Sequence, residues 1–476
     1  MEDINFILHR IERQRTWGTY HMGQYYFKIN TNRNKEFLGI HETDENISEN
    51  IQRLLQNENY AAIFHEYIHY IHEMSTVIGN VSLGLEISAK SIFSNNFDKE
   101  LKSCEVNDTT DPKQIELLSK IFHTQNVIFG ESTDKFDNRR FIYISDVQSE
   151  LLEVSVPHGT GLMDIKIEIP RLKFCVTENQ VTSEDNLLFG KFYIYEGIAY
   201  ELDREIDKTH RKLEVIDDSL RNTEYTVLRS LSKYIFPDVE KKIYLSLASM
   251  ALQHLNCGTT FILFLKRVKE DVANGINQSD SLNRIKKEVS NMLLLKQVDF
   301  NEAQDEYQKV FLKRTQLYKA FGYITDKTKS LYAKRVLNPT FEIDMVFSGN
   351  IDSLVTVTEM CDYMYVFEDV EPFMRDYIGT TIDLETSTAL KTLVSYDHYH
   401  KLHLISGTKK IEAKPENIEG ERKCPFFHCC NLTLRSENSE ICQNKPWRIF
   451  EVSAKTNGLY CWYGTGVAEF KSHTER

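Results

Sequence analysis

Apolar positions spaced three and four apart dominate the middle of the chain. Leu282, Ile285, Val289 and Met292, followed by Tyr307, Val310 and Phe311, predict a helical pair over 281–321 joined near "VDFNEA". The same period runs through "LLFGKFYIYEGIAYELDREIDK" and "EKKIYLSLASMALQHLNCGTTFILFLKRVKED". Residues 85–125 read as helical around a loop at "NDTTDPK". From about 139 to 177 the period falls to two: "FIYISDV", "LLEVSV" and "DIKIEI" alternate β-branched and polar residues and predict strands and hairpins. Residues 18–30, "GTYHMGQYYFKIN", are strand-like as well, and no internal repeat is present.

Two further helices are predicted near the start, "ISENIQRLLQ" and "YAAIFHEYIHYIHEMSTVIG". The second opens after Asn57-Glu58-Asn59, residues suited to a cap, and Gly79 offers a stop. Ala62, Phe64, Tyr67, Ile68, Ile71 and Val77 place apolar surface on more than one side, so this helix is expected to be packed on several faces.

Composition narrows the class. A chain of 476 residues, 41% apolar and 11% aromatic with 9 prolines, has the material for a substantial core and no long disordered tract. The net charge is −13 and the basic residues are dispersed among acidic ones, which excludes the concentrated positive surface that nucleic acid requires. No leader-like apolar segment is read at the N-terminus, and the longest strongly apolar stretch, "FILFL" at 261–265, is too short to span a bilayer. The expectation is a cytoplasmic protein without membrane or nucleic-acid partners, its nine cysteines reduced or bound to metal.

The chemistry concentrates in "FHEYIHYIHEM", residues 64–74, where His65-Glu66-Tyr67-Ile68-His69 fits the H-E-x-x-H pattern. Residues four apart on a helix stand one above the other, so two imidazoles reach one ion at about 2.0–2.1 Å. Glu66, next to the first of them, is placed to accept a proton from water at the ion. A third ligand is needed. His72 is excluded because seven residues of helix rise about 10.5 Å, so it reads as a packing histidine.

Glu196, in "YIYEGIAYELDRE", is the better candidate. A carboxylate between Tyr195 and Ile198 is costly to bury unless something pairs with it, and small Gly197 and Ala199 permit close approach of another helix. Asp203, Asp207, Glu201 and Glu205 are expected on the solvated side, with one of them free to orient a ligand histidine.

These two segments resemble the gluzincin metallopeptidases, which include thermolysin and the alanyl-aminopeptidase type. In those enzymes an H-E-x-x-H helix pairs with a second helix that supplies a glutamate, in the aminopeptidase branch within E-G-F-A, and "EGIA" at 196–199 is similar to it. The resemblance implies His65, His69 and Glu196 as zinc ligands and Glu66 as general base. It also implies a zincin-like catalytic region over 1–270. The family places the two motifs about twenty residues apart, whereas 126 residues separate His69 from Glu196 here. An insert at about 85–180, helical and β-hairpin in character, is therefore expected. No counterpart of the aminopeptidase motif for a substrate N-terminus is present, which points away from exopeptidase action.

A hydrolytic zinc site also uses a donor for the developing oxyanion. "YDHYHKLH" at 396–403 supplies Tyr396, His398 and His400 as candidates, with a polar loop or strand end as the plain alternative. His254 is a further possibility, better read as a core histidine. The C-terminal segment is the least regular and holds five of the nine cysteines. Cys424, Cys429 and Cys442, with Cys461, Cys430 or His428 as a fourth ligand, are candidates for a structural zinc. Plain reduced thiols are the alternative.

The expected protein is thus α+β and helix-rich. It has a zincin-like core over 1–270, a helical segment over 271–335 and a cysteine-containing C-terminal module over 336–476. The expected activity is that of a zinc-dependent endopeptidase acting on a protein or peptide substrate, gated by a regulatory partner or ligand. A zinc hydrolase of a non-peptide substrate and a non-catalytic interaction protein remain open.

Overall fold

The computed structural model describes residues 18–21, 26–29, 60–94, 112–130, 140–158, 161–178, 181–209, 223–360, 365–368, 384–403, 423–427, 430, 433–449, 452 and 461–472. They form a helix-rich α+β structure with two three-stranded sheets. The helix predicted at "ISENIQRLLQ" lies outside the described residues. The strand-like 18–30 segment becomes β1 (Gly18–His21) and β2 (Tyr26–Ile29), an antiparallel pair. A later strand, β6 (Tyr365–Glu368), joins it parallel to β2.

The histidine-rich helix α1 (Tyr60–Ser75) ends four residues before Gly79. The reason lies in two hydroxyls. Ser75 and Thr76 donate to the carbonyls of Ile71 and His72, both at 2.6 Å, and Thr76 Oγ1 accepts from the Gly79 amide at 3.1 Å. That competition breaks α1 and caps the next helix, α2 (Val77–Ser94). Gly79 serves clearance instead of termination, since a Cβ there would stand 2.1 Å from the Glu73 carbonyl oxygen.

Helix α3 (Pro112–Phe129) starts with proline at its first position, where no amide is missed. The predicted strands follow as β3 (Arg140–His158), β4 (Gly161–Glu178) and β5 (Val181–Leu188), an antiparallel sheet in the order β3-β4-β5. The alternation buries Val154 and Val156 on β3 opposite Ile165–Met163, and Ile167 and Ile169 on β4. Two glycines then let the chain return beside its own path. A Cβ on Gly190 would meet the Ile128 carbonyl at 2.6 Å, and one on Gly130 would meet that of Leu188 at 2.7 Å. This close crossing delivers β5 directly into α4 (Lys191–Thr209), the helix that carries Glu196.

Helices α5 (Thr223–Ile235), α6 (Lys241–Ala251) and α7 (Cys257–Ala273) continue the core, and α5 packs along α4. The helical pair expected over 281–321 differs in its joint. Helix α8 (Gln278–Lys309) runs unbroken through "VDFNEA", which contains no glycine or proline, while Phe300 stacks on Tyr332 at 3.8 Å between centroids. The turn falls at 310–315, where Arg314 has φ 75°, and Thr315 caps α9 (Gln316–Leu337).

Helix α1 packs against both α4 and α9. Its far end is anchored by a buried polar network. Arg335 on α9 donates to Ser75 (2.8 and 2.9 Å) and to Glu342, which also receives Ser249 and His72. Glu342 sits on α10 (Phe341–Phe347), which α11 (Ile351–Met360) follows. Burial alone would raise the Glu342 carboxyl, but Arg335 and His72 outweigh it and hold the group at about 2.

The last elements are α12 (Leu384–His403), the short α13 (Thr433–Glu437) and α14 (Ser439–Asn444), and α15 (Trp462–Ser472), with α12 packed between α9 and α15. One apolar cluster extends from Phe64 on α1 to Val467 on α15, and the α8–α9 hairpin contributes to it. Among the described residues no helix is long and apolar enough to cross a membrane.

Candidate metal centre

The face of α1 turned toward α4 carries His65 and His69. Their rings lie 4.7 Å apart between centroids, nearly perpendicular at 79°. Glu196 projects from α4 between them: its Oε2 is 3.2 Å from His65 Nε2 and 3.5 Å from His69 Nε2. The ligand atoms of these three residues all lie within 4.8 Å of one another. Side-chain exposure of 11% and 5% for the histidines and 16% for Glu196 leaves the acid as the open side of the cluster.

Behind His65 stands Asp203, two turns beyond Glu196 on α4, with Oδ2 3.1 Å from Nδ1. A carboxylate on Nδ1 fixes the tautomer that presents Nε2 toward Glu196. Glu201 and Glu205 differ from the solvated role expected for them. Glu201 is buried and held by Lys241 (2.9 Å) and Arg229 (3.6 Å), and Glu205 shares Lys241 at 3.3 Å.

The donor set fits a divalent cation. Two imidazole nitrogens and one carboxylate oxygen form a common zinc set, and the remaining position is left open. The proton bookkeeping points the same way. Burial would lower the His65 pKa, yet hydrogen bonds and charge from Asp203 and Glu196 outweigh it and raise the group well above its ordinary value. Burial would likewise raise Glu196, but His69 and His65 drive it well below the usual carboxylate range. Positive charge at this spot is thus strongly favoured, and Glu66, buried beside His65, adds another acid. A cation on His65, His69 and Glu196 would supply it.

No family model matches the chain, and no curated protein or solved structure matches it.

A tyrosine that the sequence did not single out completes the surroundings. Tyr225 on α5 meets the His65 ring edge-on at 5.8 Å and stacks on Tyr200 at 4.9 Å. Burial, then the charges of Glu196, Glu224, Glu66 and Asp203, push its hydroxyl well above the ordinary phenol value, so it stays a donor. Gly197 brings it there. A Cβ on Gly197 would stand 2.5 Å from Leu228 Cβ, and Leu228 lies one turn after Tyr225 on the same face of α5. The small residue noted from sequence thus has a definite neighbour. Tyr225 itself sits in "NTEYTVLRS", where no pattern marks it.

The other candidates fall elsewhere. His72 hydrogen-bonds Glu342 at 3.1 Å, the packing role expected of it, and burial lowers it to about 4. His254 contacts Phe264 edge-on and is lowered to about 4 by burial. Tyr396, His398 and His400 form neither loop nor strand end; they occupy the last two turns of α12. His398 Nδ1 is 2.8 Å from the Tyr463 hydroxyl on α15, and His400 Nδ1 is 2.8 Å from the Tyr396 carbonyl. Both Nδ1 atoms are thus engaged locally, and α12 packs on α9 and α15, so the structure does not bring these residues into the His65–His69–Glu196 cluster.

Cys429 and His428 lie outside the described residues. Cys424 and Cys442 are buried, Cys430 and Cys461 half-buried, and no disulfide joins them among the described residues. Burial pushes the Cys442 thiol up to about 11 and that of Cys424 well above its usual value.

Proposed function

We propose that the chain is a zinc-dependent hydrolase built on a zincin-like core, acting as an endopeptidase on a protein substrate. The observation that carries this reading is the convergence of His65 and His69 from α1 with Glu196 from α4. A zinc ion held there would polarise a scissile carbonyl and lower the pKa of nearby water.

The chain's own residues supply the rest. Asp203 orients His65 and makes its Nε2 a stronger donor of its lone pair. Glu66 accepts the proton of the attacking water and delivers it to the leaving amine, which leaves the carboxylate as it began. Tyr225 donates a hydrogen bond to the oxygen on which negative charge develops. The choice of a peptide bond rests on the likeness of the two motifs to gluzincins.

Control is part of the proposal, because an unrestrained protease damages its host. The β3–β5 sheet enters α4 only eight residues before Glu196, from Leu188, so a partner or ligand bound to it acts on a ligand-bearing helix. The test is a cleavage screen on a proteome digest with wild type beside Glu66→Gln. Cleavages present with wild type and absent with the variant support a peptidase. Metal-bound protein that cleaves no peptide supports a hydrolase of another substrate, and uniform digestion of casein contradicts gating.

A further inference from the structure

Four cysteines of the C-terminal module do not scatter among the described residues. Cys424, Cys430, Cys442 and Cys461 line one small cavity, together with Phe427 and Trp462. They come from four separate places in the chain: the turn at 424–427, position 430 three residues beyond it, α14, and the residue just before α15. Spacings of five, eleven and eighteen intervening residues separate them. Chain folding had to bring them together; no local repeat accounts for it.

Backbone hydrogen bonds fix the sites from which the thiols project. The Cys424 amide donates to the Cys442 carbonyl at 2.8 Å, tying the turn to α14. The Phe427 amide donates to the Cys424 carbonyl at 2.9 Å and the Cys430 amide to that of Phe426 at 2.8 Å, which curls Cys424 and Cys430 toward each other. Cations stand nearby. Arg435 hydrogen-bonds the Phe427 carbonyl at 2.9 Å, and Lys423 lies 4.9 Å from the centre of the Phe427 ring.

The elements themselves are too small to hold this arrangement. Helices of five and six residues do not persist in water without tertiary support. The module's own apolar anchors are few, chiefly Phe426, Leu434, Trp447 and Ile449. A module so thin is of the kind that a structural metal stabilises outright.

We infer that Cys424, Cys430, Cys442 and Cys461 form a structural zinc site that staples the C-terminal module to α12 through α15. Cys430, which the sequence offered as an alternative fourth ligand, lines the cavity with the other three. Tetrahedral coordination at about 2.3 Å places sulfurs about 3.8 Å apart, closer than any three of these thiols stand here, so metal loading has to draw the side chains together around the cavity they line. Binding releases the thiol protons as four Zn–S bonds form, and Arg435 and Lys423 offset the resulting double negative charge. The site is closed, with four protein ligands and no position for substrate, and therefore structural in role.

The experiment uses the full-length His65→Ala variant, so that the α1–α4 cluster contributes no metal. Loading with cobalt(II) is expected to give the intense thiolate-to-cobalt charge-transfer absorption of a four-sulfur site at one ion per chain. A histidine–carboxylate site gives no such band, so loss of the hydrolase reading and loss of this one are told apart. Cys430→Ser is expected to abolish the four-sulfur spectrum and Cys429→Ser to retain it. Because a cysteine variant can misfold, a second readout uses unmutated cysteines: a mercurial reagent should release one zinc per chain from the His65→Ala protein. Absence of the charge-transfer band, retention of the full spectrum in Cys430→Ser, or a mass showing these cysteines paired as disulfides would overturn the assignment.

Discussion

Asp203 Oδ2 lies 3.1 Å from His65 Nδ1, on the opposite side of the imidazole from Glu196. One helix, α4, thus provides both the acid that meets the second ring nitrogen and the acid that orients the ring. Asp203→Asn keeps an acceptor in place but removes the charge. Metal affinity is expected to fall about 10- to 100-fold, measured by competition with a chromophoric chelator. Unchanged affinity would remove Asp203 from the site.

Gly197→Ala separates packing from propensity. Within a helix, glycine to alanine ordinarily gains about 1 kcal/mol. Here the added Cβ meets Leu228 Cβ at 2.5 Å, and overpacking of that kind costs about 1–3 kcal/mol. The clash is expected to win, lowering the urea midpoint and pushing Tyr225 away from His65, with reduced turnover and near-normal metal content. A more stable variant with full turnover would show that α4 and α5 have room to spare.

Tyr225→Phe isolates the hydroxyl. The ring contact with His65 survives and the donor is lost, so kcat is expected to fall about 100- to 1,000-fold while metal stays bound. Equal kcat in both proteins would assign the oxyanion donor elsewhere.

Acid stability follows from His72. Its folded pKa of about 4 lies below the model-peptide value of 6.5 because burial disfavours the charged ring. Between those values the unfolded chain takes up a proton that the native protein does not, so stability is full above about pH 6.5 and declines toward pH 4. The slope from this one residue is up to about 1.4 kcal/mol per pH unit. His72→Gln keeps a donor toward Glu342 and removes the titration. Its urea stability should therefore change less between pH 7 and pH 5 than that of wild type, and an identical change would exclude His72 as a source.

Much of this arrangement is legible in the sequence because it is local. The i, i+4 spacing of His65 and His69 sets their common face, and the alternation at 139–177 sets the strands. Glu196 could be selected because an acid among aromatic residues demands a partner. What escaped has non-local causes. The break after Ser75 depends on two hydroxyls competing for helix carbonyls, and α8 continues through "VDFNEA" because Phe300 finds Tyr332 on another helix. Tyr225 reaches His65 through the α4–α5 contact at Gly197, and Cys430 is tied to the turn at 424–427 by its amide bond to the Phe426 carbonyl. "YDHYHKLH" misled because its histidines share a helix with α15 as neighbour, a relation that composition does not encode.

The most direct test is elemental analysis of wild type beside Glu196→Ala, both shown to be folded by circular dichroism. The account predicts one zinc ion per chain fewer in the variant, since the cation depends on an acid 131 residues away from His65. Identical zinc content in the two proteins would contradict it.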